Sequence, residues 1–249
     1  VIETAVAGAV PRFELPEWRE RYGIVAGITG RGTETSPFDF GLAGTTTTVG
    51  AVMGHWRRLR QALPEFAAVV VSRQVHGTEL LWHGAAGGLV LHDRADGHGT
   101  ATEGVLLAVT VADCIPVYLI DPVRRAVALL HAGWRGVAGG ILGKGLDLLT
   151  GQGSDVENVS IHCGIGICGR CYEVGAEVLS ACGLSARLGE KRGLDLRAVL
   201  TAQARSYSVQ KVSTSSLCSA HSENRFFSHR ASGGADGRMV AYLGLPATT

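Results

Sequence analysis

The stretch that most limits the fold is the middle of the chain, where "EGVLLAVTVADC" (103–114), "PVYLID" (116–121) and "RAVALLHAGW" (125–134) follow one another with little polar interruption. Each run is too short to cross a bilayer as a helix, and runs this rich in Val, Leu and Ile read as strands covered on both faces. The last two are joined by "DPVRR", where Asp121 and Pro122 start a turn, so they form a hairpin. Hairpins among buried strands predict mixed sheets, with helices left to cover the outer faces.

The rest of the chain supplies both kinds of element. "IVAGI" (24–28) is a short strand followed by a long loop rich in Gly, Thr and Ser. "VGAVMGHWRRLRQALP" (49–64) has Val52, Trp56, Leu59 and Leu63 at helical spacing, with Pro64 past its end. "AAVVVSRQVH", "TELLWH" and "GGLVLH" predict three strands. Beyond Gly136, "VAGGILGKGLDLLT", "YEVGAEVLSAC" and "LDLRAVLTAQARSY" predict helices, "NVSIHCGIGI" and "VQKVSTSSL" predict strands, and the tail returns to a last strand. There is no linker and no repeat, so one α+β domain over residues 1–249 is expected.

Composition excludes some roles. The formal charge is +1, with acids and bases interspersed, so neither DNA nor RNA is an expected partner. The first residues lack a basic region, and no long uncharged apolar run follows, which predicts a cytoplasmic protein with no membrane partner. The six cysteines are read as thiols, since the chain is neither small nor visibly secreted. Oligomeric state is not legible.

Three residues could carry chemistry together. His76 in "SRQVHG" ends a predicted strand, and Cys114 and His131 also fall at or near strand ends beside glycine or a turn. If three neighbouring strands bring them to one point, two imidazoles and a thiolate suit zinc, with a fourth position left for water or substrate. Taken singly, each is more often an ordinary core residue, and the spacing matches no local zinc signature.

Longer motifs add to this. "QVHG" (74–77), "ADCIPV" (112–117), "HAGWRG" (131–136), "CYEVG" (171–175), and "FFSHR" followed by "GRM" occur in order. In these the chain resembles the laccase-domain purine nucleoside phosphorylase family, also labelled polyphenol oxidase or multicopper oxidoreductase. The resemblance implies a layered α/β/β/α sandwich and a catalytic zinc on His76, Cys114 and His131. It also implies phosphorolysis of adenosine, inosine, guanosine and methylthioadenosine to base and ribose 1-phosphate, with deamination of adenosine. Zinc would acidify a water for deamination. Phosphate would need planar arginines, for which Arg31, Arg73, Arg135 and Arg230 lie nearest the motifs.

Asp113, beside Cys114, is expected in a strand with its side chain on the opposite face, either orienting a ligand histidine or the next turn, or meeting a loop amide. Nine histidines without one H-x-H pair are too few for multicopper oxidase chemistry, although copper is expected as an adventitious occupant of a His, Cys, His site. Cys168 and Cys171 form a C-x-x-C, which would need a second pair to make a zinc ribbon, and none is read from the sequence. "HSE" (221–223) lacks the context of a deaminase motif and is set aside. Two rival functions remain: a metal-free hydrolase with Cys114 as nucleophile and His131 as base, acting on an amide such as a cell-wall precursor, and a binding or redox module.

Overall fold

A computed structural model describes residues 1–42, 47–222 and 224–248; Glu223 of "HSE" lies outside them. The chain begins with β1 (Thr4–Val6), β2 (Arg12–Glu14), α1 (Pro16–Tyr22) and β3 (Val25–Thr29). Helix α1 starts on Pro16, whose fixed φ suits a first turn, and ends at Gly23 with φ 64°, where its N–H donates to the Arg19 carbonyl. After the long loop comes α2 (Val49–Ala62), capped where the Thr48 hydroxyl accepts from the Ala51 N–H.

Seven strands follow: β4 (Ala68–Ser72), β5 (Leu81–His83), β6 (Gly88–His92), β7 (Gly97–Thr100), β8 (Val105–Val111), β9 (Ile115–Asp121) and β10 (Ala126–Ala132). The remainder alternates: α3 (Trp134–Ala138), α4 (Ile141–Thr150), β11 (Ser160–Cys163), β12 (Glu173–Gly175), α5 (Ala176–Ala181), β13 (Lys191–Gly193), α6 (Leu196–Ser206), β14 (Lys211–Thr214) and β15 (Met239–Gly244).

The strands form two large mixed sheets and one small pair. The first sheet runs β1-β2-β3-β15-β8-β4-β6, the second β14-β11-β9-β10-β7-β5, and β12 pairs with β13. Alternation within the central strands sorts side chains into layers. On β8, Val105, Leu107 and Val109 face Tyr118, Ile120, Val127 and Leu129 of the other sheet, forming the core between the sheets. Leu106 and Ala108 face outward, under Val52, Trp56 and Leu59 of α2. On the far side, Val117, Leu119, Ala128 and Leu130 pack under α4 and α6 through Leu142, Leu146 and Leu200. The result is the α/β/β/α layering and mixed pairing expected of the chain. Each fully buried Val or Leu contributes about 1.5–3 kcal/mol relative to exposure. Among the described residues no helix is long and apolar enough to cross a membrane.

Several boundaries differ from the sequence reading. β4 stops at Ser72, so "RQVH" is loop rather than strand end. The helix expected after Gly136 is two helices, broken at Gly139–Gly140, where Gly140 takes φ 81°. "EVG" (173–175) pairs as strand β12 before α5 begins. The β1–β2 pair, α1, β7 and β13 were not anticipated. β7 reads "GHGT" and has no apolar residue, because its neighbours fill the space: a Cβ on Gly97 would lie 2.6 Å from Leu80 Cδ2, and one on Gly99 2.7 Å from Trp82 Cε3.

A further difference bears directly on the site. β8 and β9 look like one interrupted strand, but they belong to opposite sheets, and residues 112–114 make the crossing. Asp113 therefore sits at a corner with φ 91°, a left-handed backbone that costs a non-glycine residue on the order of 1–3 kcal/mol.

Candidate active site

Three different elements deliver the three expected residues. His131 is near the end of β10, Cys114 sits on the corner before β9, and His76 lies in the loop after β4 with φ 58°. Two of the three are thus held by loops, not by neighbouring strands. Even so, one ligand atom from each lies within 4.8 Å of the others, and the two imidazole rings meet edge to face with centroids 4.9 Å apart. His131 is buried, Cys114 half-buried and His76 exposed, so the trio opens to solvent on the His76 side.

What holds them there is Asp96, which the sequence reading missed. Its fully buried carboxylate accepts four N–H groups. Oδ1 takes those of the His76 backbone (2.9 Å) and of His131 Nδ1 (2.9 Å), while Oδ2 takes the backbone N–H groups of Gly77 (2.7 Å) and Val75 (3.2 Å). This one side chain therefore fixes both the left-handed turn that carries His76 and the tautomer of His131, because a carboxylate at Nδ1 leaves the Nε2 lone pair free when the ring is neutral. Gln74 ties the same loop to β8: its Oε1 accepts the Thr110 N–H and hydroxyl, and its Nε2 donates to the Thr110 carbonyl.

The electrostatics follow from this crowding. Burial raises the Cys114 thiol, but the His131 and His76 imidazoles outweigh it and bring it down to about 6, so the sulfur is thiolate at neutral pH. Burial lowers His131, yet the Cys114 thiolate and the Asp96 carboxylate reverse that and raise it to about 9. Burial raises Asp96 as well, and its bonds to His131, Gly77 and Val75 more than offset this to leave it below the usual carboxylate range. Two imidazoles and a thiolate drawn together in this way fit a divalent ion of zinc's ligand preference, which would take the place of the shared proton. Gly133 makes room for them: a Cβ there would lie 3.1 Å from both Cys114 Sγ and His76 Cδ2.

Asp113 turns away from this group. Its Oδ1 accepts the hydroxyls of Ser219 (2.6 Å) and Ser228 (2.7 Å), and its Oδ2 accepts the Arg230 N–H (2.7 Å). The orienting role considered for it at a ligand histidine falls to Asp96. Asp113 instead anchors residues 219–230 against the corner, and these contacts offset the strain of its backbone.

Around the three residues lies a cavity of about 570 Å³, within the range for small-molecule sites. Trp134, Tyr172, Ile167 and Leu91 give it apolar walls, and Arg73, Arg135, Arg230 and Arg238 line it with positive charge. Arg135 stacks over Trp134 at 4.4 Å, and Arg230 over Tyr172 at 4.9 Å. Arg73 is exposed and paired with Asp93. Arg31 does not line the cavity; it faces Asp236 at 3.7 Å and lies over the Phe227 ring. Arg238, not considered from sequence, takes a place in the wall.

Residues 29–246 match the family described as multi-copper polyphenol oxidoreductase laccase. Among curated proteins, a purine nucleoside phosphorylase of Deinococcus radiodurans is 38% identical over 197 residues, covering 76% of this chain and 75% of that one. An adenosine deaminase, RL5, from an unknown prokaryotic organism is 39% identical over 82 residues, covering 33% of this chain and 31% of that one. Among solved structures, YlmD from Geobacillus stearothermophilus superposes with a TM-score of 0.87 at 29% identity, covering 99% of both chains.

Proposed function

The chain belongs to the multi-copper polyphenol oxidoreductase laccase family, and on that premise we propose that it is a zinc-dependent purine nucleoside phosphorylase with adenosine deaminase activity. Its substrates would be adenosine, inosine, guanosine and methylthioadenosine with phosphate, handled within one domain over residues 1–249. The observation that carries the reading is the convergence of His76, Cys114 and His131 within 4.8 Å at the wall of a nucleoside-sized cavity. These three would hold the ion, and copper would enter the same donors adventitiously.

When bound, zinc supplies Lewis acidity and lowers the pKa of water in its open position. The remaining work belongs to this chain's own groups. Trp134, Tyr172 and Ile167 offer flat apolar surface to a purine and exclude water from its faces. Arg135 and Arg230, each held over an aromatic ring, would offer planar N–H groups to phosphate oxygens, and Arg238 and Arg73 add charge to the same cavity. Asp96 holds a proton on His131 Nδ1, which leaves Nε2 to the ion whenever the ring is neutral.

The test is incubation with adenosine, with and without phosphate. Adenine should form only with phosphate, and inosine in both cases. Neither product from zinc-loaded protein would end the proposal. One observation also favours a metal-free hydrolase: Cys114, His131 and Asp96 stand in the order thiolate, imidazole, carboxylate, with Cys114 held down at about 6. Full activity in chelator-treated protein, abolished by alkylating Cys114, would select that reading.

A further inference from the structure

We propose that Cys168, Cys171, Cys218 and His221 hold a second metal ion, a closed zinc site that fastens two loops of the cavity wall together. One ligand atom from each of the four lies within 4.8 Å of the others. Cys171 Sγ is 3.1 Å from His221 Nδ1, and Cys168 Sγ is 3.8 Å from it. Around a tetrahedral zinc the sulfurs stand roughly 3.8 Å apart, so the four need only close up slightly. They share no residue with His76, Cys114 and His131.

The local chain is shaped for it. The residues form two pairs of the same spacing, C-x-x-C at 168–171 and C-x-x-H at 218–221. Each pair closes a tight turn, with the Cys171 N–H on the Cys168 carbonyl (3.0 Å) and the Ser222 N–H on the Cys218 carbonyl (3.2 Å). The Cys168 N–H donates to Cys218 Sγ at 3.3 Å, the kind of bond that stabilises a metal-bound thiolate. The second pair that a zinc ribbon requires is present; it ends in histidine, and 46 residues separate it from the first. Three thiolates and one imidazole fill all four positions, which is the pattern of a structural rather than a catalytic zinc.

The placement says what the ion would do. The two loops leave β11 and β14, which pair in parallel, and they stay in register through the Gly166–Cys218 bridge and the Ser219 N–H on the Gly166 carbonyl (3.0 Å). Ile167 and Tyr172 flank the first pair and line the cavity. Ser219 lies inside the second pair and donates to Asp113, whose Oδ2 accepts the Arg230 N–H, and Arg230 lines the cavity over the Tyr172 ring. A closed ion at this point fixes the separation of Tyr172 and Arg230.

The test counts metal in full-length protein purified without chelator. The wild type should carry two zinc per chain, Cys114→Ser one, and Cys171→Ser or His221→Ala one. On the wild type alone, iodoacetamide followed by peptide mapping should leave Cys168, Cys171 and Cys218 unmodified until a chelator is added, and label all three afterwards. The proposal is overturned if Cys114→Ser carries no zinc. It is equally overturned if the three thiols alkylate freely before chelation, or if Cys168 and Cys171 are recovered as a disulfide. Failure of the His76, Cys114, His131 site would lower the wild-type count to one but leave the Cys114→Ser count and the alkylation pattern unchanged.

Discussion

Replacing Asp96 by asparagine changes one atom and should disable the site. Each carboxylate oxygen accepts two N–H groups, and an amide has only one oxygen to offer. Whichever way the amide sits, its NH2 faces two donors, and two charge-assisted hydrogen bonds are lost. Such bonds contribute about 1.5–3 kcal/mol each, so the expected destabilisation is roughly 3–6 kcal/mol, a large share of a domain's usual 5–15. With the NH2 at the Oδ1 position, His131 must accept at Nδ1 and carry its proton on Nε2, where a metal needs a lone pair. With it at the Oδ2 position, the turn carrying His76 loses its anchor. One ligand suffers in either case, and zinc affinity should fall about 10–100-fold. Urea unfolding of chelator-treated wild type and Asp96→Asn measures the first effect without metal in the balance, and competition with a chromophoric chelator measures the second. An unfolding free energy within about 1 kcal/mol of wild type, together with unchanged zinc affinity, would refute the role given to Asp96.

Single substitutions at the three proposed ligands, His76→Ala, Cys114→Ala and His131→Ala, should each remove turnover and one equivalent of zinc while circular dichroism stays native, since an open site adds little to folding; unfolding of all three would instead mark a structural site. Gly133→Ala has no backbone penalty at φ −76°, so its Cβ, 3.1 Å from Cys114 Sγ and His76 Cδ2, should weaken zinc binding at unchanged thermal stability, and unchanged affinity would count against the tight fit. The buried pair His83 and His98, hydrogen-bonded at 2.8 Å, is depressed by burial to about 4 and about 3. Below the ordinary imidazole range the unfolded chain binds protons that the folded one refuses, so stability should fall as pH drops from about 6.5 to about 4, by roughly 1.4 kcal/mol per pH unit for each ring. A denaturation profile with a slope below about one proton over that window would contradict a neutral pair.

Legibility in the sequence depended on whether the physical signal was local. The buried strands announced themselves through runs of Val and Leu, and His76, Cys114 and His131 through short motifs beside glycine or a turn. β7 was silent because its glycines leave the apolar contact to Leu80 and Trp82 of other segments. Asp96 was hidden in "DRADG", which reads as a solvated turn; its burial depends on donors from residues 75–77 and 131 that only the fold brings near. Asp113 was placed in a strand because a change of sheet between β8 and β9 leaves no mark on hydrophobicity. The partners of Cys168 and Cys171 were missed for a related reason: Cys218 and His221 are distant in the chain, and one of them is not a cysteine.

The position of β15 has a consequence for how the molecule is built. It lies between β3 and β8, pairing Ala241 with Ile28 on one side and with Val109 on the other. During synthesis, β3 and β8 emerge long before the strand that joins them, and each presents an open edge of backbone N–H and C=O groups until residues 239–244 arrive. Closure across so much intervening chain makes assembly slow and leaves the nascent protein open to mispairing in the meantime. Released chains truncated before Met239 should accordingly be captured by chaperones, and chains that include residues 239–244 should not.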